Sequence, residues 1–176
     1  MQYKYLAALA FSSLTLAEPA VFNKGPLITD FGQHAKVEAM LPLPADAKFK
    51  VAFDVAEQAE PGKLNKRFNS LARFVNMHVA NGVKAENIQL ALVVHGKAGF
   101  DLLSEQAYRQ KFSHSNANIA LIKALADQGV QVMLCGQSAA AMEISAKNLM
   151  PEVQLGLSAM TLHALLQQQG YTLNPF

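Results

Sequence analysis

The alternation of two kinds of segment from residue 48 onward is the strongest constraint on what this chain can fold into. Short apolar segments predict strands, and segments whose apolar residues recur at steps of three and four predict amphipathic helices. The predicted strands are 48–55, 88–96, 130–136 and 153–158. The predicted helices are 64–82, 104–112, 116–129, 138–148 and 158–170, and residues 171–176 can add a short edge strand. This order predicts βαβ units, and therefore an α/β domain over 48–176 whose parallel sheet carries helices on both faces.

The segment before this domain, residues 18–47, has a different character. Pro19, Pro26, Pro42 and Pro44 interrupt it, with Gly25 among them. Proline removes a backbone donor and glycine permits turns, so this segment is predicted to be irregular.

The first 17 residues have the pattern of a secretory signal peptide. Lys4 precedes an apolar stretch that runs to Ala17, and small residues at Thr15 and Ala17 fit a cleavage site after Ala17. The apolar stretch is shorter than the roughly 20 residues that a membrane-spanning helix needs. The alternative is a buried N-terminal helix. We expect the mature protein to be periplasmic or secreted, and no later segment is apolar and long enough to span a bilayer.

The charge of the chain argues against nucleic-acid binding. It carries 15 basic and 13 acidic residues, and cleavage after Ala17 would remove only Lys4 among them, so the mature surface is nearly neutral. The sequence has no zinc-type spacing such as C-x-x-C or H-x-x-E-H, no G-x-G-x-x-G and no P-loop. No metal or cofactor is predicted.

Cys135 is the only cysteine of the chain, and its position predicts a reactive thiol. It closes a predicted strand, and ligands of open parallel sheets bind at the carboxyl ends of the strands. The backbone N–H groups of Gly136, Gln137 and Ser138, which open the next helix, favour a negative charge and lower a thiol pKa. The alternative is a buried cysteine that only fills space.

His95, Gly96 and Lys97 follow the preceding strand at the same end of the sheet. His95 can accept the thiol proton or, as a cation, stabilise the thiolate, and Lys97 can hold an anionic group. The alternatives are a histidine bonded to a loop carbonyl and a solvated surface lysine.

Several segments together resemble the DsrE/DsrF-like family, and most closely its exported single-domain branch. They are KFKVAFDV (48–55), FVNMHVANGV (74–83), VVHGKA (93–98), VQVMLCGQSA (130–139) and LMPEVQLGLSAMTLHALLQQQGY (149–171). The resemblance implies a three-layer α/β/α fold with a mostly parallel, five-stranded sheet. It also implies homo-oligomers.

The resemblance further implies a role in sulfur relay. At the position that Cys135 resembles, family members accept sulfane sulfur as a persulfide and pass it to a partner. Gly136, Gln137 and Ser138 would then surround the sulfur, and His95, Gly96 and Lys97 match the family's HGKA-like segment. Asn76 matches a family position whose polar side chain is expected at the same end of the sheet. The family pattern also includes an Arg-Gly pair where this chain reads AAMEIS (140–145). The protein therefore either lacks the contact that this arginine would make or uses Lys97 for it.

Three functions follow as hypotheses. The first is an exported protein that carries or transfers sulfane sulfur on Cys135, with a donor or acceptor protein or a small sulfur compound as partner. The second is a non-catalytic module of the same fold that binds a small anion or metabolite, or serves in assembly. The third, a cysteine hydrolase using Cys135 and His95, is disfavoured because the sequence shows no acid that clearly orients His95; Asp54 is the one carboxylate at that end of the sheet.

Overall fold

The computed structural model describes residues 21–44 and 46–174, so the predicted signal peptide lies outside the described residues. The strands are β1 (Phe22–Asn23), β2 (His34–Ala35), β3 (Phe49–Val55), β4 (Ile88–Val94), β5 (Gln131–Cys135), β6 (Val153–Gly156) and β7 (Thr172–Asn174). The helices are α1 (Lys66–Ala80), α2 (Glu105–Phe112), α3 (Ile119–Asp127), α4 (Gly136–Ala141) and α5 (Ala159–Gln168). Three short 3₁₀ helices cover Ala85–Asn87, Gly96–Leu102 and Ala146–Asn148.

Strands β3 to β7 form one parallel sheet in the order β6-β5-β4-β3-β7. The predicted three-layer α/β/α architecture with a five-stranded sheet is confirmed. The C-terminal edge strand suggested by the sequence is β7, which pairs with β3. In the described part of the chain, no helix has the length and apolar character needed to cross a membrane.

The two faces of the sheet are covered unequally. Because side chains alternate along a strand, Val51, Phe53 and Val55 face the larger core, which is completed by residues of α1, α2 and α3. Their neighbours on the other face belong to a smaller core. The sheet contributes Ala52, Ala91, Val93 and Met133 to it. Helix α5 contributes Ala159, Leu162 and Leu166, and Tyr171 follows that helix. Among the described helices, α5 therefore supplies the third layer by itself.

The helix predicted for 138–148 is shorter in the structure. It ends at Ala141, and Glu143 then has a left-handed backbone with φ of 57°. The turn carries the apolar side chain of Ile144 into the larger core, and its N–H donates to the Ala139 carbonyl at 2.8 Å. Burial of Ile144 thus ends a helix that local sequence preference would continue.

The N-terminal segment, predicted to be irregular, forms the two-residue pair β1–β2 and is fastened to α1 by hydrogen bonds to Asn69, Arg73 and, above all, Asn76. Asn76 is fully buried. Its Oδ1 accepts a hydrogen bond from Ile28 N–H at 3.0 Å, and its Nδ2 donates to the carbonyls of Ile28 at 2.8 Å, Phe31 at 3.0 Å and Gly32 at 3.2 Å. Asn76 therefore fixes the path of the segment over α1.

A second buried polar side chain, Asp101, ties the 3₁₀ helix Gly96–Leu102 to the start of α1. Its Oδ2 accepts hydrogen bonds from Ala59 N–H and Asn65 Nδ2, both at 2.8 Å. Its Oδ1 is buried and has no hydrogen-bond partner among the described residues. Burial raises the pKa of Asp101 to about 6, although the two hydrogen bonds act in the opposite direction.

Candidate functional site

A pocket of about 320 Å³ lies where β3, β4 and β5 end and α5 begins. We call it the thiol pocket. Its lining residues are Asp54, His95, Cys135, Gln137, Ser138, Ser158, Ala159, Met160 and His163.

The alternation of strand side chains places three of these residues together. Ala52, Val93 and Met133 face α5 in the smaller core, and the residue two positions after each of them belongs to the same face. Those residues are Asp54, His95 and Cys135. Because the three strands are parallel neighbours, their carboxyl ends meet, and the side chains converge under the first turn of α5.

Cys135 is 5% exposed and is one of the residues that line this pocket. Cys135 is the N-cap of α4, and its Sγ accepts a hydrogen bond from Ser138 N–H at 3.5 Å. Burial raises the pKa of the thiol, but hydrogen bonds from the Ser138 hydroxyl and from the amides of Ser138, Ala159 and Gln137 outweigh burial. The pKa is therefore below its ordinary value of 9.0.

Two glycines bring these donors to the sulfur. Gly96 N–H donates to Ser138 Oγ at 3.0 Å, which leaves the serine hydroxyl proton free to point at the thiolate. At Gly136, a Cβ would lie 2.5 Å from the Gly156 carbonyl oxygen and 3.1 Å from that of Leu157. Only glycine permits this approach, which brings the start of α5, and with it Ala159 N–H, next to Cys135.

Asp54 holds two imidazoles in the same pocket. Its Oδ1 accepts a hydrogen bond from His163 Nε2 at 2.7 Å, and its Oδ2 accepts one from His95 Nε2 at 3.1 Å. Burial raises the pKa of Asp54, but the hydrogen bonds and positive charge of His163 and His95 prevail. The pKa is below its ordinary value of 3.8, so Asp54 is a carboxylate at neutral pH.

The two histidines differ in their access to protons. Nδ1 of His163 is buried and finds no hydrogen-bond partner in the described part of the chain. The side chain of His95 is 33% exposed. His95 is therefore the imidazole that can exchange a proton with solvent or with a bound molecule, and His163 helps to orient Asp54.

Among the described residues no hydrogen bond joins His95 to Cys135, and His95 Nε2 is instead bonded to Asp54. Asp54 is thus the acid that orients His95, a role for which the sequence showed no clear candidate. A cysteine hydrolase needs a histidine ring nitrogen within hydrogen-bond distance of the nucleophilic sulfur, and the arrangement here does not provide that contact.

The remaining predicted residues have different positions. Gln137 lines the pocket, and its Nε2 donates to the Leu157 carbonyl at 3.3 Å. Lys97 is exposed and is not one of the lining residues, so it does not place a cation beside the sulfur. Asn76 is bonded to the N-terminal segment and does not line the pocket, which corrects the expectation that its side chain lies at the carboxyl end of the sheet.

His163 is an ionisable pocket residue that the sequence analysis did not select. A pattern in α5 points to it, because Ala159, Leu162 and Leu166 form the stripe that packs on the sheet. His163 lies four residues after Ala159, next to this stripe, where a polar side chain needs a partner. Within the described residues, no group of three or more His, Cys, Asp or Glu side chains is arranged to hold a metal ion.

A larger depression of about 850 Å³ lies beside the loop before α1, at residues 57–60, 63–67 and 69. The N-terminal amides of α1 are already occupied there, since Asn65 Oδ1 accepts from Arg67 N–H and Phe68 N–H. Arg67 pairs with Glu57 at 2.8 Å. The residues that line the depression include no cysteine, serine, threonine or histidine, so we take the thiol pocket as the candidate site.

Comparison with known proteins agrees with this architecture. The model of the DsrE/DsrF-like family matches residues 50–175. The ychN protein from E. coli is similar over 73% of this chain and 100% of its own, with 21% sequence identity and a TM-score of 0.52. MTH1491 from Methanobacterium thermoautotrophicum, described as a protein of unknown function, has the same coverage, 15% identity and a TM-score of 0.53.

These identities establish similarity of fold, and no curated protein gives a significant match. The family match spans nearly all of the domain that carries the thiol pocket. The chain belongs to the DsrE/DsrF-like family, whose fold is related to sulfur relay.

Proposed function

We propose that this protein accepts sulfane sulfur on Cys135 as a persulfide and transfers it to an acceptor thiol. The observation that carries the proposal is the surrounding of the Cys135 sulfur, where one hydroxyl and three backbone amides lower the pKa of the thiol. A thiolate is the nucleophile in sulfur exchange, so this environment increases the reactive fraction at neutral pH. The family supports the same role through its relation to sulfur relay.

The pocket has room for the product. A persulfide adds one sulfur atom to Sγ, and the pocket of about 320 Å³ lies directly beside that atom. The same amides that stabilise the thiolate can donate to the terminal sulfur of a persulfide anion. When an acceptor thiolate attacks this terminal sulfur, Cys135 leaves as a thiolate in the environment that already favours it.

The alternative is a module that binds a small anion without chemistry at Cys135. The charge of the pocket disfavours it, because Asp54 is a carboxylate and the described lysines and arginines do not line the pocket. The histidines are both bonded to that carboxylate.

Mass spectrometry of the intact protein tests the proposal. After incubation with a sulfane-sulfur donor, we expect the added mass of one sulfur atom, and its removal by a thiol reductant. Because Cys135 is the only cysteine, any thiol adduct is assigned to it without digestion. The Cys135→Ser variant should gain no sulfur. An unmodified thiol that iodoacetamide nevertheless alkylates would contradict the proposal, and ligand binding unchanged in Cys135→Ser would favour the binding module.

Ser138→Ala should raise the pKa of the Cys135 thiol, because it removes the hydroxyl that donates to the sulfur and leaves the buried sulfur with one hydrogen-bond donor fewer. We expect alkylation of Cys135 at neutral pH to slow by about tenfold, the effect of losing one charge-assisted hydrogen bond. The measurement is the alkylation rate as a function of pH. Ser145→Ala is the matched control, since Ser145 is exposed and outside the pocket. Equal rates for the two variants would show that the hydroxyl does not act on the sulfur.

Two further parts of the proposal concern location and assembly. Export after cleavage at Ala17 predicts a mature chain that begins at Glu18, which N-terminal sequencing of protein purified from its source would reveal.

Assembly of identical chains is supported by exposed apolar residues around β6 and α5, namely Leu155, Leu157, Met160 and Leu165. Sedimentation at micromolar concentration should give a mass above that of one chain; a monomer would contradict assembly.

A further inference from the structure

We propose that His95 is the catalytic base of sulfur transfer, and that its Nδ1 takes the proton of the acceptor thiol. Asp54 and His163 are the positioning residues that hold the ring for this task. This inference rests on the proposed function and assigns the proton transfer of the same pocket. It differs from the pairing that the sequence suggested, in which His95 takes the proton of Cys135 itself.

The carboxylate of Asp54 decides which ring nitrogens carry protons. An ionised carboxylate only accepts hydrogen bonds, so each nitrogen bonded to it must be an N–H donor. Nε2 of His163 lies 2.7 Å from Oδ1 of Asp54, and Nε2 of His95 lies 3.1 Å from Oδ2. Nε2 is therefore protonated in both rings, and Nδ1 is the nitrogen of a neutral ring that can take a further proton.

The two Nδ1 atoms have different surroundings. Nδ1 of His163 is buried and has no hydrogen-bond partner among the described residues. The side chain of His95 is 33% exposed, and within the described ranges its ring is bonded through Nε2 alone. The other ionisable side chains that line the pocket are Asp54, which already accepts from both histidines, and the Cys135 thiol. Nδ1 of His95 is therefore the base that a bound molecule can reach.

Cys135 does not need this base. The Ser138 hydroxyl and three backbone amides already lower the pKa of its thiol, and its sulfur has no hydrogen bond to His95 in the described part of the chain. An acceptor thiol arrives without such help, and a free cysteine has a pKa of about 8.5, so most of it is protonated at neutral pH. Because the thiolate is the nucleophile, this proton must be removed in the pocket that His95 lines.

The transfer step balances with His95 as the proton acceptor. Nδ1 of His95 takes the proton of R–SH, and the sulfur of R–S⁻ attacks the terminal sulfur of Cys135–S–SH. The bond between the terminal sulfur and Sγ breaks, and Sγ keeps its electron pair. The products are R–S–SH, the Cys135 thiolate and the His95 imidazolium, so atoms, charge and electrons are conserved without an oxidant. The Asp54 carboxylate stabilises the imidazolium as it forms.

Two sulfur acceptors that differ in their proton test the role of His95. Wild type and His95→Gln are loaded with inorganic polysulfide, separated from it by gel filtration, and mixed at mildly alkaline pH with one acceptor. The first acceptor is 2-mercaptoethanol, which is mostly protonated there, and the second is sulfite, which is largely deprotonated. Loss of the sulfur mass from the intact protein gives the rate. We expect His95→Gln to be at least about tenfold slower than wild type with 2-mercaptoethanol and within about twofold with sulfite.

His114→Gln is the matched control, because His114 is exposed and does not line the pocket. It should match the wild type with both acceptors. Iodoacetamide should alkylate unloaded His95→Gln at nearly the wild-type rate; much slower alkylation would assign His95 to Cys135 and overturn the proposal. Equal slowing with both acceptors, or no slowing with either, would also overturn it and leave sulfur transfer by Cys135 intact. Failure of the wild type to take up sulfur would instead defeat the proposed function, and the assignment of His95 with it.

Nitrogen NMR of histidine-labelled protein tests the positioning residues. The signals of His95 are identified by their loss in His95→Gln, and in the neutral ring we expect a proton on Nε2 and none on Nδ1. Asp54→Asn should remove this preference and slow transfer to 2-mercaptoethanol by about tenfold, and His163→Phe by about threefold, with sulfite little affected. A neutral His95 protonated on Nδ1 in the wild type, or wild-type transfer by Asp54→Asn, would contradict the role of Asp54.

Discussion

Replacing Asn76 with alanine should lower the free energy of unfolding by about 3 kcal/mol. Asn76 is fully buried, and its amide pairs with the backbone of Ile28, Phe31 and Gly32. Alanine leaves several buried backbone groups without partners, and the N-terminal segment then keeps only its hydrogen bonds to Asn69 and Arg73 of α1. Urea unfolding followed by circular dichroism measures the change.

Asn81→Ala is the matched control, because Asn81 lies at the end of the same helix but is exposed and donates one side-chain hydrogen bond, to Met77. We expect it to cost no more than about 1 kcal/mol. Asn76→Ala should also load sulfur on Cys135 at the wild-type rate at temperatures where it is folded, since Asn76 does not line the thiol pocket. A stability loss equal to that of Asn81→Ala would show that the segment is not held by this side chain.

The second large effect is a gain in stability on mild acidification, caused by Asp101. Its pKa is about 6 in the folded protein and 3.8 in the ordinary exposed state. Because folding raises this pKa, its stabilising contribution is complete below pH 3.8 and is lost as the pH rises through 6. The full contribution is about 3 kcal/mol, of which about 1.4 kcal/mol is present at pH 5 relative to pH 7. Asp54 acts in the opposite sense, but only as the pH falls below its ordinary 3.8.

Asp101→Asn should remove this slope, because the amide has no charge to bury. We expect the difference in unfolding free energy between pH 5 and pH 7 to shrink by about 1.4 kcal/mol relative to the wild type. Asp127→Asn is the control, since Asp127 is exposed and pairs only with Lys123 in a surface ion pair. Its pH dependence should match that of the wild type between pH 5 and pH 7. Parallel curves for Asp101→Asn and the wild type would mean that Asp101 is already neutral or well solvated.

Most of the architecture could be predicted because the apolar pattern is strong and local. The strands beginning near residues 49, 88 and 131 are buried on both faces, so their sequences are short apolar runs bounded by polar turns. The early end of α4 could not be predicted in this way. It depends on burial of Ile144 against a distant part of the chain, which local helix preference does not report.

The site could be predicted where it depends on strand ends and not where it depends on packing across the sheet. Cys135 and His95 follow adjacent parallel strands, so topology alone brings them together. His163 reaches the pocket because α5 crosses the face of the sheet and brings it to Asp54, which lies far away in the sequence. The residues next to His163 in the chain do not indicate this contact. Asn76 shows the opposite case: the sequence places this helical polar residue at the pocket, but its hydrogen-bond partners lie in the N-terminal segment, which has little regular secondary structure.

The position of α5 links the thiol to the far edge of the sheet. This helix starts beside Cys135, and the chain that leaves it forms β7, a three-residue strand on the opposite edge from β6. Separation of that outermost strand would let the helix drift from the pocket and withdraw the Ala159 amide from the sulfur. The nucleophile is therefore expected to lose its activation during partial opening of the C-terminal edge, while most of the molecule is still folded.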